Sequence, residues 1–145
     1  MAKILIIDDD PKSIESIKDD LSFEHEVYFT RNIDEAIQLL MKETYDLIIL
    51  DLYMPYRSHY KSSETLNGRE TGYLLLKEIR SGEAGFKVNK NVPVIALTHI
   101  RMDEHLKEKV LREKPIEFVQ KPPSLSEMNL VVDRLLAEGE SKEGF

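Results

Sequence analysis

The sequence of 145 residues contains no cysteine and no long apolar run. Without cysteine, disulfide bonds, thiolate metal sites and a cysteine nucleophile are excluded, and a reducing compartment is favoured. The first apolar run, Ile4 to Ile7, is too short for a secretory signal or a membrane-spanning helix. We therefore expect a cytoplasmic protein that makes no membrane contact.

Basic residues are also outnumbered by acidic ones. The chain has 20 lysines and arginines and 27 aspartates and glutamates, which gives a net charge of -7. This balance argues against a general nucleic-acid binder or a protein of anionic membrane surfaces. The hydrophobic fraction of 41% and the charged fraction of 32% are typical of globular proteins. The length predicts one domain with a sizeable core, and the sequence shows neither internal repeats nor low-complexity segments.

Strand and helix patterns alternate five times along the chain. Helical patterns begin near Pro11, Asn32, Gly72, Asp103 and Ser124. The predicted strands are Ile4–Ile7, Glu26–Thr30, Leu47–Leu50, Val92–Thr98 and Ile116–Val119. This alternation predicts an α/β fold of the flavodoxin-like, doubly wound type, with a five-stranded parallel sheet in the order 2-1-3-4-5 and helices on both faces.

Acidic side chains stand where two predicted strands end. Asp8 and Asp9 follow the first strand, and Asp51 follows the fully apolar third strand. In the predicted order these two strands are neighbours, so the three carboxylates converge at one edge of the sheet. Thr98 at the end of the fourth strand and Lys121 after the fifth lie at the same edge.

Three close carboxylates raise one another's proton affinity unless a cation compensates them. Mg²⁺ suits a site with a few carboxylates and retained waters, and Lys121 adds a point charge. A carboxylate in such surroundings is a competent acceptor of a phosphoryl group, forming an aspartyl phosphate. The competing interpretation of a single acid at a strand end is a cap without chemistry.

The chain resembles the receiver (CheY-like) domain of two-component response regulators, in particular the single-domain type, from about Lys3 to Leu136. Four motifs carry the resemblance, each at a strand end: Ile-Leu-Ile-Ile-Asp8-Asp9-Asp10, Leu-Ile-Ile-Leu-Asp51-Leu-Tyr-Met54-Pro55, Pro93-Val-Ile-Ala-Leu-Thr98 and Phe118-Val-Gln-Lys121-Pro122. One such motif is weak evidence, whereas four in order are specific.

The resemblance implies a role for each matching residue. Asp51 is expected to be the phosphoacceptor, and Mg²⁺ is expected to bind Asp8, Asp9, Asp51 and the backbone carbonyl of Tyr53. No organic cofactor is expected.

Thr98 and Phe118 are expected to be the switch pair, with Thr98 also contacting the phosphoryl group. Lys121 is expected to contact that group as well, and the bond between Lys121 and Pro122 is expected to be cis.

The resemblance also implies partners. The phosphoryl donor is expected to be a sensor histidine kinase or a phosphotransfer protein, and the output is expected to be docking to an unidentified downstream protein. A dimer linked to phosphorylation is a further expectation. The domain is expected to act as a phosphoacceptor switch that assists its own phosphorylation and dephosphorylation rather than as an enzyme.

Two features depart from the family. The segment from Tyr56 to Glu70 is an insertion of about a dozen residues, for which a lid, a partner-recognition loop and a mobile loop without a role are alternatives. We predict a receiver domain over residues 1–138 and a disordered acidic tail over 139–145. No effector domain follows, so the chain either acts alone by docking or is a fragment.

Three other functions compete with this interpretation. A haloacid-dehalogenase-type enzyme needs a second aspartate where Tyr53 stands, and an acidic loop at Asp8 to Asp10 would repel the phosphate of a flavin or nucleotide. A phosphorylation-independent interaction module on the same fold is the remaining alternative. Solvated or packing roles are favoured for all four histidines, His25, His59, His99 and His105, since they show no ligand spacing.

Overall fold

The computed structural model describes residues 1–55, 70–83, 85–98 and 103–143. Within them, the strands are β1 (Lys3–Ile7), β2 (Glu26–Thr30), β3 (Leu47–Asp51), β4 (Val94–Thr98) and β5 (Ile116–Gln120). The helices are α1 (Pro11–Leu21), α2 (Ile33–Lys42), α3 (Thr71–Ser81), α4 (Glu104–Leu111) and α5 (Leu125–Glu143), with a short 3-10 turn at Lys87–Asn89.

The strands form one parallel sheet in the order β2-β1-β3-β4-β5, which confirms the predicted flavodoxin-like fold. In the register, Ile7 pairs with Leu50 and Asp51 pairs with Leu97. The carboxyl ends of β1, β3 and β4 are therefore level with one another. This alignment brings the loops after these strands to one edge of the sheet.

The sheet is buried on both faces, which explains why its strands appear as continuous apolar runs. Ile48 and Leu50 pack with α2, α3 and α4 on one face, whereas Leu47 and Ile49 pack with α1 and α5 on the other. All five residues of β3 are buried. The strand bearing Asp51 is thus a rigid support at the centre of the molecule.

Local caps fix where the helices begin. The Asp10 side chain accepts a hydrogen bond from the Lys12 N–H, and Pro11 occupies the first helical position of α1. The Asn32 side chain accepts hydrogen bonds from the N–H groups of residues 34 and 35 at the start of α2. These polar caps end β1 and β2 within a few residues, so the site loops are short.

Two predicted boundaries differ from the structure by more than one residue. β4 begins at Val94 rather than Val92, after Pro93, which has no N–H to donate to a strand ladder. α5 continues to Glu143, so it extends into the segment 139–145 for which the sequence predicts a disordered tail. Residues 139–143 include two glutamates and a lysine, which are good helix formers and outweigh the glycine at position 139.

Three backbone carbonyls at the amino-terminal side of the strands accept hydrogen bonds from one arginine side chain. The Arg80 guanidinium, at the end of α3, donates to the carbonyl oxygens of Glu113, Lys90 and Pro115 at 3.0, 3.0 and 2.8 Å. Burial lowers the pKa of Arg80 to about 10. Arg80 thus ties α3 to the chain entering β4 and β5, at the end of the sheet remote from Asp51.

Some predictions lie outside the described residues. They concern the insertion over 56–70, apart from Glu70, as well as the histidines His59 and His99. No helix in the described part of the chain is both long enough and apolar enough to cross a membrane.

Candidate functional site

Three carboxylates meet at the carboxyl edge of the sheet. Asp8 follows β1 and Asp51 ends β3, and both are buried, with 0% and 2% of their surface exposed. Asp8, Asp9 and Asp51 each offer an oxygen within 4.8 Å of the other two. The convergence expected from the strand order is therefore present in the structure.

Lys121 joins this cluster from the segment after β5. Its Nζ lies 2.8 Å from Oδ2 of Asp8 and 3.0 Å from Oδ2 of Asp51. The contact with Asp51 has hydrogen-bond geometry, whereas Oδ2 of Asp8 is buried and has no hydrogen-bond partner within the described residues. One ammonium group thus faces two buried carboxylates, and the site keeps an excess of negative charge.

Backbone N–H groups orient the other carboxylate oxygens. The N–H of Asp10 donates to Oδ1 of Asp8 at 2.9 Å, and the N–H of Tyr53 donates to Oδ1 of Asp51 at 3.0 Å. Each carboxylate is therefore fixed by its own loop through one oxygen and faces Lys121 through the other. The acids are held in place before any ligand arrives.

The pKa values reflect the crowding of charge. Burial, together with repulsion from Asp8, raises the pKa of Asp51 to about 7, although Lys121 and the Tyr53 N–H act in the opposite direction. Burial by itself would lower the pKa of Lys121, but the carboxylates of Asp8 and Asp51 outweigh it and raise that pKa. An additional cation would relieve the repulsion between the two acids.

The donor set fits Mg²⁺. Hard divalent cations prefer oxygen ligands, and three carboxylates here lie within 4.8 Å of one another. Oδ2 of Asp8, which is buried without a hydrogen-bond partner in the described chain, is an oxygen that such an ion would satisfy. The excess negative charge supplies the electrostatic reason for binding a cation.

The predicted switch residues, Thr98 and Phe118, lie near this cluster, on the face of the sheet that packs against α2, α3 and α4. Side chains alternate along a strand, so Thr98 shares the face of Ala96, and Phe118 pairs with Ala96 in the register. Phe118 packs against the core beneath α2, α3 and α4, and the Thr98 carbonyl accepts the Lys121 N–H at 2.7 Å. Thr98 is thus tied through its backbone to the residue that neutralises Asp51.

Sequence reasoning identified the acids and Lys121 but missed two neighbours. The Arg31 Nε donates to the Asp9 carbonyl at 3.3 Å, and the Gly72 N–H donates to the Leu52 carbonyl at 3.1 Å. Arg31 follows β2, so the strand order already placed it at this edge. The contact of Gly72 leaves no comparable signal in the sequence, because it depends on how closely α3 packs against the loop after β3.

A second group of potential ligands lies away from the site and consists of Glu24, His25 and Asp133. The Nδ1 of His25 accepts the N–H of Ala2 at 3.2 Å. A neutral imidazole that accepts at Nδ1 carries its proton on Nε2, which then acts as a donor rather than a metal ligand. This geometry agrees with the packing role expected for His25.

A parallel α/β sheet with buried acids and a lysine at its carboxyl edge belongs to the class of phosphoacceptor domains. Residues 4–133 match the family described as "Response regulator receiver domain", and the chain belongs to that family. Membership makes it a phosphorylation-dependent signalling switch of the two-component type, and receiver domains generally bind Mg²⁺ at an acidic pocket.

Individual relatives agree with this assignment. The receiver domain of the Francisella response regulator 1452 is 28% identical, with a TM-score of 0.72 over 96% of this chain and 99% of that one. The receiver domain of a signal transduction histidine kinase from Syntrophus aciditrophicus is 27% identical, with a TM-score of 0.72 over 95% and 92%. The sensor histidine kinase TmoS of Ectopseudomonas mendocina is 27% identical over 135 residues, which are 93% of this chain and 12% of that protein.

Proposed function

We propose that Asp51 accepts a phosphoryl group from a phosphohistidine on a sensor histidine kinase or phosphotransfer protein, and that a partner protein reads the resulting change. One observation carries the proposal. The buried Asp51 carboxylate is held 3.0 Å from the Lys121 ammonium, with two further acids close enough to share a cation. That arrangement provides a nucleophile and two sources of positive charge at the same point.

The transfer forms a bond between a carboxylate oxygen of Asp51 and phosphorus. The bond from phosphorus to the donor's imidazole nitrogen breaks, and its electron pair leaves with the imidazole. Asp51 must be ionised to attack, and a pKa of about 7 leaves part of the metal-free population protonated at neutral pH. Positive charge near Asp51 lowers that pKa and increases the reactive fraction.

Asp8, Asp9, Asp51 and the Tyr53 carbonyl would hold Mg²⁺, which supplies charge neutralisation for phosphoryl oxygens when bound. Lys121, already between Asp8 and Asp51, would contact an oxygen of the new acyl phosphate. The same groups would assist both formation and hydrolysis of the phosphoform. These groups suit the reaction, because positioning and electrostatic stabilisation dominate phosphoryl transfer.

The Thr98 hydroxyl would turn toward the phosphoryl group, and Phe118 would fill the space behind it. The motivation is that both residues lie on one face of adjacent strands, next to the site. Such a two-state change is driven only by differential stabilisation, typically about 1–3 kcal/mol. The altered surface around β4, β5 and α4 would then recruit the partner or a second copy of the chain.

The test is phosphorylation by acetyl phosphate with Mg²⁺, followed by intact-mass analysis. Asp51→Asn should gain no phosphoryl group. Asp10→Asn is the matched control, because it changes an acid at the same edge while asparagine still caps α1. We expect this control to label as the wild type does.

Labelling of Asp51→Asn to the wild-type level would overturn the assignment of Asp51. A wild-type protein that takes no phosphoryl group from acetyl phosphate or from any histidine kinase tried would favour the phosphorylation-independent module instead.

A further inference from the structure

The first turn of α3 lies in direct contact with the peptide after Asp51. A Cβ added at Gly72 would lie 2.6 Å from the Cα of Leu52 and 2.7 Å from the carbonyl oxygen of Asp51. Both distances are too short for any side chain, and both atoms belong to backbone that cannot rotate away. Only glycine allows α3 to pack this closely.

The same contact includes a hydrogen bond. The Gly72 N–H, one of the donors left free at the start of a helix, donates to the Leu52 carbonyl at 3.1 Å. The N–H of Leu52 faces the other way and donates to the Leu97 carbonyl of β4 at 3.4 Å. The Leu52 backbone is therefore held from one side by the sheet and from the other by α3.

Tyr53, the next residue along the chain, is part of the site. Its N–H donates to the Asp51 carboxylate, and its carbonyl is the proposed backbone ligand of Mg²⁺. The site loop thus passes from Asp51 to Tyr53 through Leu52, whose carbonyl accepts the Gly72 N–H. A displacement of Leu52 would move the donor to Asp51 and the Tyr53 carbonyl together.

We propose that Gly72 is a positioning residue, which sets the distance between α3 and the loop of Asp51, Leu52 and Tyr53 and thereby aligns the Mg²⁺ and phosphoryl sites. This inference rests on the proposed function of Asp51. It assigns to Gly72 a role beyond helix packing, so it predicts effects that loss of stability alone does not produce.

The first test compares Gly72→Ala with Gly82→Ala. Gly82 ends the same helix with a φ of +69°, so alanine is strained there as well, but at the end remote from Asp51. Mg²⁺ dissociation constants are measured by calorimetry, and labelling rates with acetyl phosphate by intact mass. In Gly72→Ala we expect affinity and rate to fall about ten- to hundred-fold. In Gly82→Ala both should stay near the wild-type values, although its melting temperature falls.

The second test uses the wild-type protein, so it stands even where Gly72→Ala fails to fold. Amide hydrogen exchange is measured with and without Mg²⁺. Binding at the Tyr53 carbonyl should hold the loop more firmly and slow exchange of the Gly72 amide. The Gly82 amide, which donates to the Ile79 carbonyl within α3, should not change. Equal responses of the two amides to Mg²⁺ would overturn the proposal.

The two proposals fail in different ways. A wild-type protein that takes no phosphoryl group at Asp51 contradicts the proposed function, whatever Gly72 does. A wild-type protein that is labelled at Asp51, with Gly72→Ala binding Mg²⁺ and labelling as Gly82→Ala does, contradicts only the role of Gly72.

Discussion

Nζ of Lys121 lies 3.0 Å from Oδ2 of Asp51, although the two residues are 70 positions apart in the sequence. Asp51 ends β3 and Lys121 follows β5, and β4 lies between these two strands. The Lys121 side chain is only 9% exposed, so this is a largely buried ion pair rather than a surface contact. Since a second buried acid shares the same ammonium, removing Lys121 leaves two carboxylates without compensation.

Lys121→Met should therefore destabilise the metal-free protein strongly, by about 3–5 kcal/mol at pH 8. Urea unfolding measures the loss. The matched control is Lys109→Met. It removes an ion pair of similar length, between Lys109 and Glu70, in which the lysine side chain is 40% exposed. That control should cost at most about 1 kcal/mol. Equal losses in the two variants would show that Lys121 does not compensate the buried acids.

Asp51 should make stability depend on pH. Its pKa rises from 3.8 in the unfolded chain to about 7 in the metal-free fold. Between these values the folded state binds more protons, so the contribution of Asp51 to stability falls as pH rises. Asp51→Asn lacks this titration, and its advantage over the wild type should grow from pH 5 to pH 8. Urea unfolding in a chelator measures the difference, and a constant difference across that range would contradict the raised pKa.

Mg²⁺ should raise the melting temperature, because it binds the folded acids and not the unfolded chain. At a Mg²⁺ concentration one hundred times the dissociation constant, the free energy of unfolding rises by about 2.7 kcal/mol. The double variant with Asp8→Asn and Asp9→Asn should lose the response. The matched control, Glu24→Gln with Asp133→Asn, removes the acids of the other His-containing cluster and should keep it. Loss of the response in that control alone would place the ion there.

Much of the site could be predicted from the sequence, because parallel strands buried on both faces appear as apolar runs and because the strand order brings their carboxyl ends together. The positions of Asp8 and Asp51 at one edge of the sheet required only that reasoning. The bond between Lys121 and Pro122 is cis in the structure, as the family resemblance implied. The structure gives the positions of these residues, whereas the functional roles of all the site residues, including Thr98 and Phe118, remain predictions.

Contacts that depend on the packing of helices could not be predicted in this way. The Gly72 contact and the carbonyls that surround Arg80 depend on how helices dock, and no periodicity in the sequence encodes that distance. The length of α5 was missed for a different reason, since helix propensity is a weak signal in a polar terminal segment.

Arg80 provides the last prediction. A lysine cannot reproduce the planar fork that reaches three carbonyls, so Arg80→Lys should leave at least one acceptor unsatisfied and cost about 2–3 kcal/mol. Arg134→Lys is the matched control. Like Arg80, Arg134 donates through more than one guanidinium nitrogen, here to the Glu117 carboxylate, but its side chain is 53% exposed. That control should change stability by less than about 1 kcal/mol.

The effect of Arg80→Lys on the site distinguishes an anchor from a functional residue. Arg80 holds loops at the amino-terminal side of the strands, so we expect Mg²⁺ affinity and the rate of Asp51 labelling to stay at wild-type values. Urea unfolding, calorimetry and intact-mass analysis measure the three quantities. A weaker Mg²⁺ site in a fully folded Arg80→Lys protein would show that the two ends of α3 are coupled, and Arg80 would then have to be counted with Gly72 among the residues that position the loop of Asp51.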